Sequence, residues 1–257
     1  MKAPITLGYI DLSFHAASAA VVREILEEHG HAVTLRAAPH EAMFRLLEAD
    51  AVDLVSSAWL PASHGAYLAP SLDKLEKLGA LYEPYCIWGV PDYVPADVVA
   101  SVDDLKKPEA LARMDRRIAG INPGAGISRF SQAMIQGYGL DAHAYRFEAG
   151  DEASCFDNFR RAVDEGRWLV LPLWHPQFLH QDYRIRALEE PKGMLGGRDA
   201  ATLVARKAIL PSIAPRALER LRGLYLGNAA VSGLEHAIRV RGLAPQTVAR
   251  EWLARKA

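Results

Sequence analysis

Five short segments in strict alternation open the chain. PITLGYIDL is an apolar run of strand length, HAASAAVVREILEEHG spaces its apolar residues as a helix and closes on His29-Gly30, and HAVTLRAA alternates in period two. HEAMFRLLEAD is helical again, and AVDLVSSAW is another apolar run. A β-α-β-α-β order leaves few topologies, because parallel strands need crossovers and right-handed crossovers lay helices over the faces of a mostly parallel sheet. His29 and His31 flank the first turn and are expected to face solvent.

A second unit of the same style begins near YEPYCIWGVP. RRIAGINP predicts a strand and a loop, GISRFSQAMIQGYGL a helix ending at Gly139, and AYRFEAG a strand. EASCFDNFRRAVDEG predicts a helix ending at Gly166, and RWLVLPLW a strand. After EEPKGMLGG come ATLVARKAIL and two or three closing helices. The expectation is an α/β protein of two lobes, each with a mainly parallel sheet. Lobe I takes residues 1–87 and 196–257, lobe II residues 88–195, and the ligand cleft lies between them.

The chain's 257 residues are 50% hydrophobic and 24% charged, enough apolar material for two such lobes. Its 30 basic and 31 acidic residues leave a formal charge of -1, which argues against nucleic acid or an anionic membrane and for a small or neutral partner. No apolar run reaches the roughly 18 residues of a transmembrane helix. MKAPITLGYI enters a strand at once instead of a signal peptide's apolar core. The expected location is periplasmic or otherwise extracytoplasmic if a signal peptide has been removed, and cytoplasmic if not. Cys86 and Cys155 lie far apart without a CxxC spacing, so they indicate no zinc site and no disulfide framework; they either pair or stay as thiols.

In open α/β sheets ligands sit beyond the carboxyl ends of strands. Four loops hold such places: YIDLSFHA, SSAWLPASHGAY, GINPGAGIS and LPLWHPQFLH. GINPGAGIS lacks the lysine of a P-loop, and Ser128-Arg129 stand where a dinucleotide fingerprint needs its third glycine. It reads either as a plain strand-to-helix turn or as an anion-holding one, in which Gly126 and Ile127 aim backbone amides at a carboxylate. Trp59 either caps the edge of the core or faces a ligand, and the same choice holds for Trp88. No Gly-x-Ser-x-Gly elbow, His-Glu-x-x-His motif or metal-ligand spacing appears, so no catalytic residue, metal or cofactor is expected.

Taken in order, AWLPASHGAYL, GINPGAGI and LPLWHPQFL followed by YRIRALEEPKGMLGG resemble the substrate-binding proteins of glycine betaine, choline and related quaternary-ammonium ABC transporters. The resemblance runs over nearly the whole chain. It implies a type II periplasmic-binding-protein fold that closes on its ligand by hinge motion, a non-catalytic role, and an ABC transporter permease as partner. Tryptophans of that family cage the quaternary ammonium, while backbone amides and a histidine hold the carboxylate. Carried over, Trp59 matches the cage tryptophan of WLP, His64 resembles the histidine after it, Gly126 and Ile127 match the amide pair, and Trp174 is a second cage wall. Ala125 stands where some members carry tryptophan, and Leu12 where tryptophan is common; Phe14, Tyr9 or Trp88 would then complete the cage. A reading from another class is a cytoplasmic enzyme or sensor on the same fold, acting on a small amine or carboxylate through His15, His64, His175 and His180.

Overall fold

The computed structural model describes residues 2–256. The elements run β1 (Ile5–Ile10), α1 (Ser13–Glu28), β2 (Val33–Ala38), α2 (His40–Glu48), β3 (Leu54–Leu60), α3 (Gly65–Leu68) and β4 (Leu75–Tyr82). Then follow β5 (Tyr85–Pro91), α4 (Pro108–Arg113), β6 (Arg117–Ala119), α5 (Gly126–Gly137), β7 (Arg146–Glu148), α6 (Glu152–Asp164), β8 (Leu171–His175), α7 (Leu179–Asp182) and β9 (Ile185–Ala187). β10 (Ala200–Arg206), α8 (Pro215–Arg222), α9 (Asn228–Arg239) and α10 (Pro245–Ala254) close the chain. Two compact units emerge: residues 1–84, 176–178 and 199–257 form the first, and residues 85–175 and 179–198 the second.

The first unit holds a five-stranded sheet in the order β2-β1-β3-β10-β4. β1 pairs in parallel with β2 and with β3, as the opening alternation predicts. β10 then slots between β3 and β4 and runs antiparallel to both. β3 is buried at all seven positions, as suits a strand covered on both faces. α1 is buried along most of its length and packs against α8, α9 and α10.

Gly30 shows why α1 stops where the sequence says. Its φ of +85° is the left-handed conformation that costs glycine little, and it lets the Gly30 amide donate to Glu27 O at 2.9 Å and the His31 amide to Leu26 O at 3.2 Å. The same pair of bonds ends α5 at Gly139 and α6 at Gly166. His31 is not solvent-facing as expected. The turn carries it inward, where its Nε2 accepts the Ala214 amide at 3.0 Å and its Nδ1 lies 3.2 Å from Ala3 O, so a buried imidazole ties the closing helices to the first strand.

In the second unit the strands are mixed. β6 and β7 pair in parallel, whereas β5 pairs antiparallel with β8 and with β9. Antiparallel pairing needs no crossover helix, so the parallel arrangement expected from alternation is confined to β2-β1-β3 and β6-β7. β8 begins at Leu171, four residues later than RWLVLPLW suggests, because Trp168 makes only an isolated bridge to Met114. Trp88, Phe156, Phe159 and Trp174 fill this unit's core. Cys86 and Cys155 are buried thiols, and burial, helped by Glu152 and Asp151, pushes Cys155 up to about 12.

Candidate functional site

Two loops of the first unit bring a ring cluster together. β1 leads through Leu12, the extended N-cap of α1, into Phe14 and His15 in that helix's first turn. Trp59 is the next-to-last residue of β3, and the chain turns back so that the Trp59 amide donates to His64 Nδ1 at 2.8 Å while the His64 amide donates to Trp59 O, also at 2.8 Å. The Asp199 carboxylate accepts the Ala62 and Ser63 amides at 2.7 and 3.0 Å and so fixes this turn. The rings of Phe14 and Trp59 lie 5.3 Å apart, those of His15 and Trp59 5.8 Å, and His64 packs on His40 and Phe44 at 5.5 and 5.3 Å. Trp59 Nε1 donates to the Tyr82 hydroxyl at 3.1 Å, which sets the indole plane. Trp59 keeps 6% of its surface accessible, against 1% for Phe14, His15 and His64, so it carries the cluster's accessible aromatic face.

The floor of this cluster is polar and neutral. Ser57 takes a left-handed φ of +56° within β3, uncommon for a residue with a Cβ. In that conformation its Oγ lies 2.6 Å from His15 Nδ1 and 3.1 Å from Ser18 Oγ. Burial, with a smaller repulsion from His40, holds His15 well below the ordinary histidine range. Burial likewise raises the Tyr82 phenol. Because a backbone N–H donates to His64 Nδ1, a neutral His64 carries its proton on Nε2. The cluster thus sets aromatic rings over buried hydroxyl and imidazole groups that bond one another. Tyr9, on β1, is half-buried, its phenol raised by burial and by Asp11, and is not among the clustered rings.

The second unit places the other expected residues. α5 starts at Gly126, and its N-cap Ala125 makes no side-chain bond to the first-turn amides. Around that start, Ser128 Oγ donates to Ile121 O at 3.1 Å and Arg129 Nη1 to Gly124 O at 2.6 Å, so the loop is held by its own helix. Gly120 precedes it where a Cβ would lie 2.3 Å from the Phe147 ring. Trp174 is fully buried on β8, 6.0 Å from the Phe156 ring. Trp88, considered for either role, is wholly buried and donates through Nε1 to Ser131 Oγ at 2.8 Å, so it serves the core.

Next to Trp174 stands a stack that the sequence does not announce. His175 lies 3.7 Å from the His180 ring, nearly parallel at 10°, and 4.7 Å from Tyr85, over which Arg198 sits at 4.5 Å. His180 Nε2 donates to Trp174 O at 3.3 Å. Burial, then the charges of His180 and Arg198, lower His175 to about 4, and burial lowers His180. A histidine depressed in the folded state takes its proton first when unfolded, near pH 6.5. Its stabilising share is therefore complete above pH 6.5 and lost as pH falls toward 4. Thermal midpoints measured across that interval should drop more for the wild type than for His175→Gln; parallel curves would show that the stack carries no such linkage.

The sequence missed Ser57, Tyr82, Tyr85 and Arg198. The aromatic spacing of Tyr82, Tyr85 and Trp88 was a usable signal for two of them, whereas the turned backbone of Ser57 left none. Among the described residues no group of three or more histidine, cysteine or acidic side chains is placed to hold a metal, and no helix is long and apolar enough to cross a membrane.

Two α/β units of this topology make the fold of the type II periplasmic binding proteins. Lactococcal OpuAC, in its closed form complexed with glycine betaine, superimposes with a TM-score of 0.87 at 22% identity, covering 100% of this chain and 96% of that one. The glycine/betaine/L-proline-binding protein ProX from Borrelia burgdorferi gives 0.85 at 22% identity, covering 97% and 92%. The chain belongs to the family described as the substrate binding domain of ABC-type glycine betaine transport systems, whose profile matches residues 3–255. A glycine betaine/carnitine transport binding protein from Listeria monocytogenes is 26% identical over 148 residues, which are 57% of this chain and 48% of that protein, so the match spans about half of that relative's length.

Proposed function

We propose that this chain captures a small quaternary-ammonium or zwitterionic ligand of the glycine betaine, choline and carnitine class and delivers it to an ABC transporter permease, working outside the cytoplasm and without transforming the ligand. The observation that carries this reading is the Phe14–Trp59 ring pair, with the indole oriented by Tyr82 and the turn oriented by His64. A quaternary ammonium has no N–H, so aromatic faces suit it better than hydrogen-bond acceptors do. Trp59 and Phe14 supply those faces, with Tyr9 near the end of β1 and Trp174 as the contribution of the second unit. The amides of Gly126 and Ile127 supply donors for a carboxylate, with His64 beside the cage tryptophan as the histidine of that site. The two lobes are taken as residues 1–87 with 196–257 and residues 88–195.

The enzyme reading has one observation in its favour, the 2.6 Å approach of Ser57 to His15, which is a nucleophile-to-base distance. Both side chains are buried, Ser57 also meets Ser18, and a histidine held far below neutrality is a weak base at pH 7. Calorimetry with glycine betaine, choline, carnitine and proline betaine tests the proposal: at least one should bind with one-to-one stoichiometry and be recovered chemically unchanged. Absence of heat from all four would overturn it, and recovery of an altered ligand would favour the enzyme.

A further inference from the structure

Glu235 is a carboxylate buried to 0% exposure in the middle of α9. A charge so placed is costly unless its oxygens are satisfied. One oxygen accepts the Ser13 hydroxyl at 2.5 Å, and the other accepts the Phe178 amide at 2.7 Å. One helical turn earlier, Ser232 Oγ accepts the Gln177 amide at 3.1 Å, and one turn later the Arg239 guanidinium lies 5.5 Å from the centre of the Phe178 ring. α9 thus grips residues 176–178, three residues of the first unit that interrupt the second between His175 and Leu179.

The two segments held by this carboxylate are those that bear candidate ligand residues. Ser13 opens α1 immediately before Phe14 and His15, and Phe178 follows Trp174 and His175 and precedes His180. We propose that Glu235 is a positioning residue for ligand binding: it fixes the start of α1 and the 176–178 segment to one another within the first unit, and so sets where Phe14 stands. This rests on the binding function proposed above.

Glutamine can keep both bonds, its carbonyl accepting from Phe178 and its amide donating to Ser13 Oγ, whereas alanine removes both. Glycine betaine and choline serve as probes, with affinity read by calorimetry, folding by thermal melt, and the 176–180 backbone by amide hydrogen exchange. Glu235→Gln should bind within about 3-fold of wild type. Glu235→Ala, titrated where it is fully folded, should bind at least ~10-fold more weakly, the scale of losing a hydrogen bond to a charged group. It should also exchange faster over 176–180 than over β1 or α10. Unchanged affinity in folded Glu235→Ala overturns the proposal and leaves a purely structural tie.

Should Glu235→Ala fail to fold, Ser13→Ala decides: a several-fold loss of affinity supports the proposal and none overturns it. If the wild type binds neither probe, nor carnitine nor proline betaine, the proposed function fails on its own, and exchange still decides the anchor, since selective acceleration over 176–180 in Ser13→Ala or Glu235→Ala supports it and a uniform change refutes it.

Discussion

Replacing Trp59 by alanine is expected to weaken glycine betaine binding about 10- to 100-fold, measured by calorimetry. A cation over an indole gains about 0.5–2 kcal/mol, more when water is excluded, and the methyl groups lose an apolar contact as well; each 1.4 kcal/mol is about tenfold in affinity. Trp59→Phe keeps an aromatic face while losing the Nε1 bond to Tyr82, so it should fall between wild type and alanine. The ring is also packed against Phe14, His15 and His64, so titrations belong at a temperature where the variant's circular dichroism matches the wild type. Wild-type affinity in both variants would mean that this indole does not meet the ligand.

Trp88→Ala is expected to lower the unfolding free energy by about 3–5 kcal/mol, the usual cost of deleting a large ring from a core that cannot collapse around the gap. Trp88 is wholly buried on β5, directly opposite Pro172 of β8, and its carbonyl accepts the Leu188 amide at 2.8 Å. It therefore stands where the central strand of the second unit meets both neighbours. Removing the indole also leaves Ser131 Oγ without its donor, which adds about 1 kcal/mol. Urea denaturation should show the loss as a shifted midpoint, with Ser131→Ala shifting it by much less. A cost below about 1 kcal/mol would show that the core refills the space.

Much of this architecture could be read from local chemistry. The opening alternation predicted parallel strands, which the structure has in β2-β1-β3, and Gly30, Gly139 and Gly166 announced three helix ends because each supplies the left-handed residue that the terminal carbonyls need. The strands that pair without crossovers were not legible in the same way. Nothing in LEKLGALY or AATLVAR says that the second will lie between β3 and the first, since that pairing joins residues more than a hundred positions apart. His31 was misread for a related reason: its partner, the Ala214 amide, is far along the chain.

The site divides along the same line. Trp59, His64 and Phe14, proposed from motif and position, lie in one ring cluster because the ends of the parallel strands β1 and β3 lie side by side. Ser57 and Tyr82 escaped notice because their roles depend on a backbone conformation and on a strand order that only the folded chain reveals.

The place of β10 has a consequence for how the molecule comes into being. As the ribosome releases the chain, residues 1–84 emerge with β3 and β4 already made but with no strand to lie between them, and β10 arrives more than a hundred residues later. Until then both strands present open backbone edges, the kind of surface that recruits other chains. Most of the second unit is contiguous from residue 85 to 175 and meets no such delay. β3 and β4 thus gain their shared partner only after the second unit has been made.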